Sequence, residues 1–213
     1  MRLRKIKNAE EIIAQHPDLV LQQPEQYKGK WQDVFGNNHP IHMEVGMGKG
    51  RYIRDMALKY PEINFVGVEV VPSVMVRAVE KFTPERLPNV RLLCVNAEEL
   101  PNIFEVGEVD RLYLNFSDPW PKNRHEKRRL TYKSFLQIFK TILIPDGEIH
   151  LKTDNRGFFE YSLVSMSQFG MVLLDVSLDL HASGYEDNVM TEYEERFVSL
   201  NQPIYYAVAR FMD

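Results

Sequence analysis

The stretch Glu44-Val45-Gly46-Met47-Gly48-Lys49-Gly50 lies between an apolar segment and a segment with helical spacing. The apolar segment, Ile41 to Val45, is typical of a buried strand, and Arg51 to Tyr60 is typical of an amphipathic helix. A glycine-rich turn between a strand and a helix lets a ligand approach the backbone closely. The stretch therefore predicts a strand, turn and helix that bind a ligand, and a tight turn without a ligand is the alternative.

The spacing of the glycines distinguishes between two kinds of ligand. Dinucleotide-binding turns have the spacing G-x-G-x-x-G, with the pyrophosphate at the helix N-terminus, whereas Gly46, Gly48 and Gly50 give G-x-G-x-G. Glu44 lies two residues before the first glycine, where a carboxylate would repel a phosphate. A carboxylate there suits a cationic amine, such as the amino group at the methionine end of S-adenosylmethionine. The turn therefore favours S-adenosylmethionine over NAD.

Length and composition indicate one globular domain. The chain has 213 residues, of which 44% are hydrophobic and 26% are charged, and these fractions are ordinary for globular proteins. No apolar run approaches the ~18 residues that a membrane span needs, and the basic N-terminal residues lack the apolar segment of a signal peptide. Cys94 is the single cysteine, so we expect no internal disulfide, a thiol in the core and a cytoplasmic protein.

Segments with strand and helix spacing alternate along the chain. Further strands are expected at Asn64–Val70, Val90–Val95, Val109–Phe116 and Glu148–Lys152, helices at Val74–Phe82, Asn96–Glu99, Thr131–Leu143 and Phe158–Phe169, and a turn at Pro145-Asp146-Gly147. Late strands at Met171–Val176 and Ile204–Phe211 predict an antiparallel pair at one edge. The alternation predicts an α/β, Rossmann-like fold with a doubly wound, mostly parallel sheet. Residues 1–40 are expected to form an N-terminal extension, because they are too few to build a core of their own.

Polar residues follow the predicted strands at their carboxyl ends, where open parallel sheets bind ligands. Glu69 ends the second strand, about 20 residues after the glycine turn, and a carboxylate there accepts hydrogen bonds from ribose hydroxyls. Asn96 follows the third strand, and its amide can pair with the edge of adenine. Asp118 follows the fourth strand and Asp154 follows the fifth. Together these residues predict a pocket for adenosine joined to an amino acid.

Positive charge is concentrated in two clusters, although the net charge is −4. The N-terminal basic arm contains Arg2, Arg4, Lys5 and Lys7. The second cluster directly follows Asp118 and contains Lys122, Arg124, Lys127, Arg128 and Arg129. A local basic patch can attract nucleic acid to an acidic protein. The position of the second cluster beside the predicted pocket favours phosphate contacts over a solvated face.

Three further segments accompany the glycine stretch: Asp118-Pro119-Trp120-Pro121-Lys122 with its basic cluster, Lys152-Thr153-Asp154-Asn155, and Thr191-Glu192-Tyr193-Glu194. Together the four segments resemble the bacterial tRNA (guanine-N7)-methyltransferases, which are class I S-adenosylmethionine-dependent enzymes. The resemblance runs from Ile41 to the C-terminus, and its second and fourth segments are the specific ones. It implies that residues 41–213 form a methyltransferase domain. The implied reaction transfers a methyl group from S-adenosylmethionine to N7 of guanine 46 in the tRNA variable loop and leaves S-adenosylhomocysteine.

The resemblance also implies roles for individual residues. The cofactor contacts are Asp118, Glu44, Glu69 and Asn96, beside the turn glycines Gly46 and Gly48. The contacts to the target nucleotide are Lys122, Asp154, Thr191 and Glu194. The contacts to the rest of the RNA are Arg124, Lys127, Arg128 and Arg129. We expect tRNA as the partner, no membrane and no metal, and the sequence leaves monomer and homodimer open.

Asp118 is the predicted catalytic residue, and it acts through its charge. Guanine N7 carries an in-plane lone pair, so no proton must leave before N7 attacks the methyl group, and the main requirement is alignment. A carboxylate can stabilise the positive charge that develops on the ring, and it can accept hydrogen bonds from the N1 and N2 donors of guanine. The alternative is that Asp118 only caps the turn before Pro119.

Two other functions remain open from the sequence. Asp118-Pro119-Trp120 is similar to the D-P-P-[YFW] loop of methyltransferases that act on exocyclic amines, which hold the amine protons with backbone carbonyls beside the proline. A non-catalytic tRNA-binding module would keep the fold without the reaction.

Trp120 lies between two prolines, and it can either stack on the target base or fill the core. The six histidines show no metal-site spacing.

Overall fold

The computed structural model describes residues 5–185 and 187–212. The chain divides into two compact units, a first unit that ends at Glu105 and a second unit that begins at Val106. Arg2 and Arg4 of the predicted basic arm lie outside the described residues. None of the helices in the described ranges is long and apolar enough to cross a membrane.

The first unit contains three parallel strands in the order β3-β2-β1. Its strands are β1 (Ile41–Val45), β2 (Asn64–Val68) and β3 (Val90–Leu93), and its helices are α1 (Ala9–Ala14), α2 (Trp31–Phe35), α3 (Arg51–Lys59), α4 (Pro72–Phe82) and α5 (Leu100–Ile103). All residues of β1 and β2 are buried, as is typical of parallel strands that are covered on both faces. The glycine stretch therefore joins a buried strand to a helix, as the sequence predicts.

The predicted N-terminal extension packs within the first unit. Trp31 is 1% exposed, and its ring stacks on that of Phe104 with a centroid separation of 4.5 Å. The indole nitrogen of Trp31 donates a hydrogen bond to the carbonyl of Ile103 at 3.1 Å. Val20 forms an isolated parallel bridge with Leu92. Residues before β1 thus contribute to the core, and the domain boundary at residue 41 stays a prediction.

The second unit contains four strands in the order β4-β5-β7-β6. Its strands are β4 (Val109–Asn115), β5 (Leu143–Thr153), β6 (Met171–Ser177) and β7 (Tyr205–Phe211), and its helices are α6 (Lys133–Ile142), α7 (Arg156–Gln168) and α8 (Glu192–Val198). Strands β4 and β5 are parallel, whereas β7 is antiparallel to both β5 and β6. The predicted α/β class and the antiparallel pair near the C-terminus are confirmed.

The predicted turn at Pro145-Asp146-Gly147 is wrong as a boundary between helix α6 and a strand. Strand β5 already begins at Leu143, which pairs with Val109, and Glu148 pairs with Arg111. The residues between Leu143 and Glu148 therefore form an irregularity inside β5. A side chain at Gly147 would place its Cβ 2.9 Å from the carbonyl oxygen of Ile144. Proline and glycine, which are turn signals in the sequence, here allow the strand to bulge.

Candidate active site

The glycine turn of the first unit has a backbone that suits glycine. Gly46 and Gly48 have φ angles of +79° and +58°, in the left-handed region that other residues adopt only at a cost. A Cβ at either position would meet no atom within 4 Å. The amides of Gly46 and Met47 both donate to the carbonyl of Val68, at 2.9 and 3.0 Å. The turn is thus fixed to the end of β2 while its glycine backbone stays accessible.

Two carboxylates lie near the ends of neighbouring strands in the first unit. Glu44 is buried in β1 and pairs in register with Gly67 of β2. Glu69 follows β2, and its two carboxylate oxygens accept hydrogen bonds from the amide of Gly48 at 3.1 Å and from the amide of Val71 at 2.8 Å. Glu69 therefore connects the glycine turn to the start of α4. Its predicted role as a ribose ligand stays a prediction, and a carboxylate has acceptor capacity beyond these two bonds.

Asn96 follows β3 and forms a capping box. Its side-chain oxygen accepts a hydrogen bond from the amide of Glu98 at 3.1 Å, and the side chain of Glu99 accepts one from the amide of Asn96 at 3.1 Å. The pattern N-x-x-E is a recognisable helix start in the sequence. The capping box orients the Asn96 amide, whose predicted contact with adenine stays a prediction.

The loop after β4 in the second unit carries Asp118 on a strained backbone. Phe116 and Trp120 have φ angles of +51° and +42°, and non-glycine residues at such angles often occur at functional sites. The amide of Phe116 donates to the carbonyl of Lys152 in β5 at 2.8 Å, while Asp118 is exposed. The hydroxyl oxygen of Ser117 is buried and has no hydrogen-bond partner among residues 5–185 and 187–212. The loop thus presents a carboxylate from a held backbone.

The five residues of the basic cluster differ in their exposure to solvent. Lys122, Arg124, Lys127 and Arg128 are exposed, whereas Arg129 is 9% exposed. Nε of Arg129 donates to the carbonyl of Pro119 at 3.1 Å, and Nη2 donates to the carbonyl of Trp120 at 3.0 Å. The first four residues have the exposure that phosphate contacts require. Their role, and that of Arg129, in RNA binding stays a prediction.

Trp120 is half-buried, so its ring does not belong to the buried core. The guanidinium of Arg128 lies 4.8 Å from the centroid of the indole ring, and His125 meets the ring edge-on at 5.7 Å. Both residues come from a short 3-10 helix at Asn123–Arg128. The exposed guanidinium of Arg128 therefore contacts the Asp118 loop at the ring of Trp120.

Thr191 and Glu194 form a capping box that begins helix α8. The amide of Glu194 donates to the Thr191 hydroxyl at 3.0 Å, and the Glu194 carboxylate accepts from the Thr191 amide at 3.3 Å. Glu194 is 0% exposed, and its carboxylate also accepts hydrogen bonds from Lys152 at 3.2 Å, from His181 at 3.0 Å and from Asn188. The spacing Thr-x-x-Glu is itself a capping-box signal in the sequence, in addition to its place in the family resemblance. The predicted nucleotide contacts of both residues stay predictions.

Lys152 of β5, for which no role is predicted from the sequence, is the buried partner of Glu194. Its ammonium donates to Glu194, to the carbonyl of Val189 at 3.0 Å and to the side chain of Asn188. Asp154 lies two residues further along the chain and is half-buried, and desolvation by burial raises the pKa of its carboxyl. The end of β5 therefore positions both the Asp154 carboxyl and the start of α8.

Within the described ranges, no three His, Cys, Asp or Glu residues lie where they would together hold a metal ion. Cys94, expected in the core, is only half-buried. Desolvation raises the pKa of its thiol to about 11, and the negative charge of the nearby Glu69 is a smaller cause.

Comparison with known proteins identifies the family. A family model described as "Putative methyltransferase" matches residues 38–207. A protein from Geobacillus sp. (strain WCH70) named tRNA (guanine-N(7)-)-methyltransferase is 56% identical over 211 residues, which cover 99% of this chain and 96% of that protein. A protein of the same name from Streptococcus equi subsp. zooepidemicus is 59% identical over 99% of this chain and 100% of its own length. The chain belongs to the tRNA (guanine-N7)-methyltransferase family.

Solved structures support the fold of this methyltransferase. An antibiotic-related methyltransferase superposes with a TM-score of 0.65 at 18% identity, covering 86% of this chain and 94% of that one. A SAM-dependent methyltransferase from Aquifex aeolicus gives a TM-score of 0.59 at 15% identity and covers 98% of this chain and 100% of its own. At these identities the likeness shows the fold alone. The predicted class I methyltransferase fold is confirmed.

Replacing Lys152 by Met should strongly destabilise the methyltransferase. Removing one partner of a buried ion pair leaves the other charge uncompensated, which costs about 3–5 kcal/mol. The free energy of unfolding in urea measures this loss. The double variant Lys152→Met, Glu194→Gln should recover part of it, because neither remaining group carries a charge.

The matched control for this prediction is the exposed ion pair between Arg156 and Glu160. Exposed pairs contribute little to stability, so Arg156→Met should leave the urea midpoint nearly unchanged. Equal midpoint shifts for Lys152→Met and Arg156→Met would show that the buried pair does not hold the second unit together.

Proposed function

We propose that this chain transfers a methyl group from S-adenosylmethionine to N7 of guanine 46 in the variable loop of tRNA. The names of relatives that are 56% and 59% identical along nearly the whole chain support the substrate and the atom. We also propose a cytoplasmic location, because tRNA is the proposed substrate. The structural observation that carries the choice of a ring nitrogen is the pair of hydrogen bonds from Arg129 to the carbonyls that flank Trp120.

The residues of the first unit fit S-adenosylmethionine. Backbone without Cβ atoms at Gly46 and Gly48 leaves room for close approach of a ligand. The buried carboxylate of Glu44 suits a cationic amine, because opposite charges attract more strongly where water is excluded. Glu69 would accept from the ribose hydroxyls, and Asn96 would pair with adenine. When bound, S-adenosylmethionine supplies an electrophilic methyl group and a leaving sulfur.

Asp118 would orient the guanine and respond to the change in its charge. An ionised carboxylate accepts hydrogen bonds from N1–H and N2–H of guanine, and adenine offers no such pair of donors. As N7 gains the methyl group the ring becomes positive, and the fixed negative charge of Asp118 stabilises that change. No base is needed, since N7 carries no proton. Asp118 would also contact the cofactor, which is the second role predicted for it.

The proposed contacts to RNA all belong to the second unit. Lys122 directly follows the Asp118 loop and is exposed, so it can reach the target nucleotide. Arg124, Lys127 and Arg128 are exposed on or beside the 3-10 helix and can release counterions when they contact phosphates. Asp154 and Thr191 would contact the target nucleotide from the end of β5 and the start of α8. The fully buried Glu194 would serve the nucleotide site indirectly, by holding Thr191 in place.

An exocyclic amine is the rival target. Enzymes with the D-P-P-[YFW] loop use carbonyls beside the proline to hold the amine protons. Here the carbonyls of Pro119 and Trp120 both accept from the buried guanidinium of Arg129. An amine would then have to share each of these carbonyl oxygens with the guanidinium, which already occupies one of its two lone pairs. N7 has no proton to donate and makes no such demand.

The proposed reaction is tested by incubating the protein with labelled S-adenosylmethionine and tRNA. We expect one N7-methylguanine in the variable loop, detected by chemical cleavage specific for that base, and no binding of NAD. Digestion and mass spectrometry identify the methylated atom. A methyl group on an exocyclic amine would favour the rival, and cofactor binding without any transfer would favour the non-catalytic module.

Replacing Glu69 by Ala should weaken S-adenosylmethionine binding by about 2–3 kcal/mol, which is ~30-fold to ~150-fold in affinity. The loss combines the ribose hydrogen bonds with the tie between Gly48 and Val71. Calorimetry measures cofactor binding, and gel shifts should show nearly unchanged affinity for tRNA. The exposed Glu62→Ala is the control. Equal losses in both assays would contradict a role as a ribose ligand.

Replacing Asp118 by Asn should lower the single-turnover methylation rate by roughly 10²-fold, while tRNA affinity falls much less. Asparagine keeps the size of the side chain and removes the charge that faces the developing cation. The rate is measured at saturating cofactor and tRNA, with the exposed Asp33→Asn as the control. An unchanged rate would rule out the electrostatic role.

A further inference from the structure

Arg129 differs from the other cations of the basic cluster in what its side chain touches. Arg124, Lys127 and Arg128 are exposed, whereas Arg129 is 9% exposed. Its guanidinium lies 4.1 Å from the centroid of the Tyr161 ring, which α7 provides. A guanidinium that stacks on a ring and donates to protein carbonyls has already lost much of its hydration. It is therefore poorly placed to exchange counterions for phosphates.

The two hydrogen bonds of Arg129 flank a single residue. The carbonyl of Pro119 belongs to the peptide before Trp120, and the carbonyl of Trp120 belongs to the peptide after it. Holding both peptide planes restricts the φ and ψ angles between them. The planar guanidinium presents several N–H groups in a rigid fork, while a lysine ammonium is a point charge on a flexible stem. The arrangement therefore depends on arginine and not on positive charge alone.

Trp120, whose backbone angles Arg129 restricts, is the residue of the loop that needs hydrogen bonds from outside the loop. Trp120 has a φ angle of +42°, and a bulky residue with a positive φ persists only where its surroundings hold it. The next residue is Pro121, which has no backbone N–H and cannot donate a bond to hold the loop. Arg129 supplies the missing bonds from outside. Asp118 is two residues from Trp120, so its position follows the conformation of this loop.

We propose that Arg129 is a positioning residue, which holds the Asp118-Pro119-Trp120-Pro121 loop in the conformation that presents Asp118 to guanine. The inference rests on the proposed function, because the position of Asp118 matters only for a chain that methylates guanine. Arg129 acts through the loop and does not contact the RNA. Of the basic cluster, Lys122, Arg124, Lys127 and Arg128 then remain as RNA contacts.

The test compares Arg129→Lys with Arg128→Ala in two measurements. The first is the single-turnover methylation rate at saturating tRNA and S-adenosylmethionine, and the second is the slope of log Kd for tRNA against log salt concentration. Arg129→Lys should lower the rate about tenfold to a hundredfold, because a small misplacement of a reacting group is costly, and should leave the slope unchanged. Arg128→Ala should reduce the slope by about 0.7–0.9. Lys140→Ala, on the exposed side of α6, is the control for both.

Two outcomes of the rate and salt measurements would overturn the proposal. Arg129→Lys at the full wild-type rate would show that the two carbonyl bonds do not position Asp118. An Arg129→Ala variant whose salt slope falls as much as that of Arg128→Ala would make Arg129 a phosphate contact. Tyr161→Leu provides a second variant, which removes the stacked ring and keeps the arginine, and it should lower the rate in the same direction. Urea midpoints exclude global unfolding as the cause of a lost rate.

A third measurement does not depend on catalysis. In a Trp31→Phe background, Trp120 is the remaining tryptophan, and acrylamide quenching reports its accessibility. Arg129→Lys should raise the quenching constant of Trp120, because the loop is released, and an unchanged constant would overturn the proposal. If the wild-type protein makes no N7-methylguanine, the proposed function fails, and quenching still decides whether Arg129 holds the loop.

Discussion

The organisation of the second unit depends on one buried residue, Lys152. Its ammonium has three donors, and all three are used by Glu194, Asn188 and the carbonyl of Val189. Its backbone carbonyl accepts from the amide of Phe116, at the start of the Asp118 loop. A charge that is 4% exposed is tolerated only when it is paired and fully hydrogen-bonded. Lys152 therefore holds two separate segments against β5, one through its ammonium and the other through its backbone carbonyl.

Glu194 is the acceptor at the centre of the same buried network. Its carboxylate oxygens accept hydrogen bonds from Lys152, His181, Asn188 and the amide of Thr191. Because a carboxylate only accepts, the bond from His181 requires the imidazole proton on Nε2. A carboxylate has ~four acceptor positions, so the group is saturated. A buried network in which every member is satisfied specifies one geometry. Thr191 and helix α8 are held in place by this network and by the apolar contacts of the neighbouring core, where Phe116 stacks with Phe197.

The parts of the structure that depend on nearby residues were predictable. Strand β1 agrees with its prediction at both ends, and Pro72 lies at the start of α4 as expected. The glycine turn was predictable because its φ angles are a property of the residue type. Helix α8 was also within reach, since Thr191 and Glu194 are three residues apart and form a capping box. These signals extend over a few residues, which is the range that sequence patterns record.

The burial of long charged side chains was not predictable from the same patterns. Lys152 and Glu194 are 42 residues apart, and the interaction of Arg129 with Tyr161 joins a loop to a distant helix. A run of lysine and arginine has the same pattern whether its members are solvated or buried. The folded chain alone distinguishes Arg129 from Arg128. Roles assigned from charge density therefore need the tertiary contacts before they can be divided among residues.

The proposed RNA contacts and the proposed catalytic loop meet at one side chain, Trp120. The exposed guanidinium of Arg128 packs on the ring of Trp120, and the buried guanidinium of Arg129 holds the backbone of the same residue. A phosphate drawn to Arg128 would therefore act on the residue whose conformation sets the direction of the Asp118 loop. Trp120 is held from its ring and from its backbone by two adjacent arginines of different exposure. Arg128 remains exposed to solvent, whereas the buried Arg129 donates its hydrogen bonds to the loop.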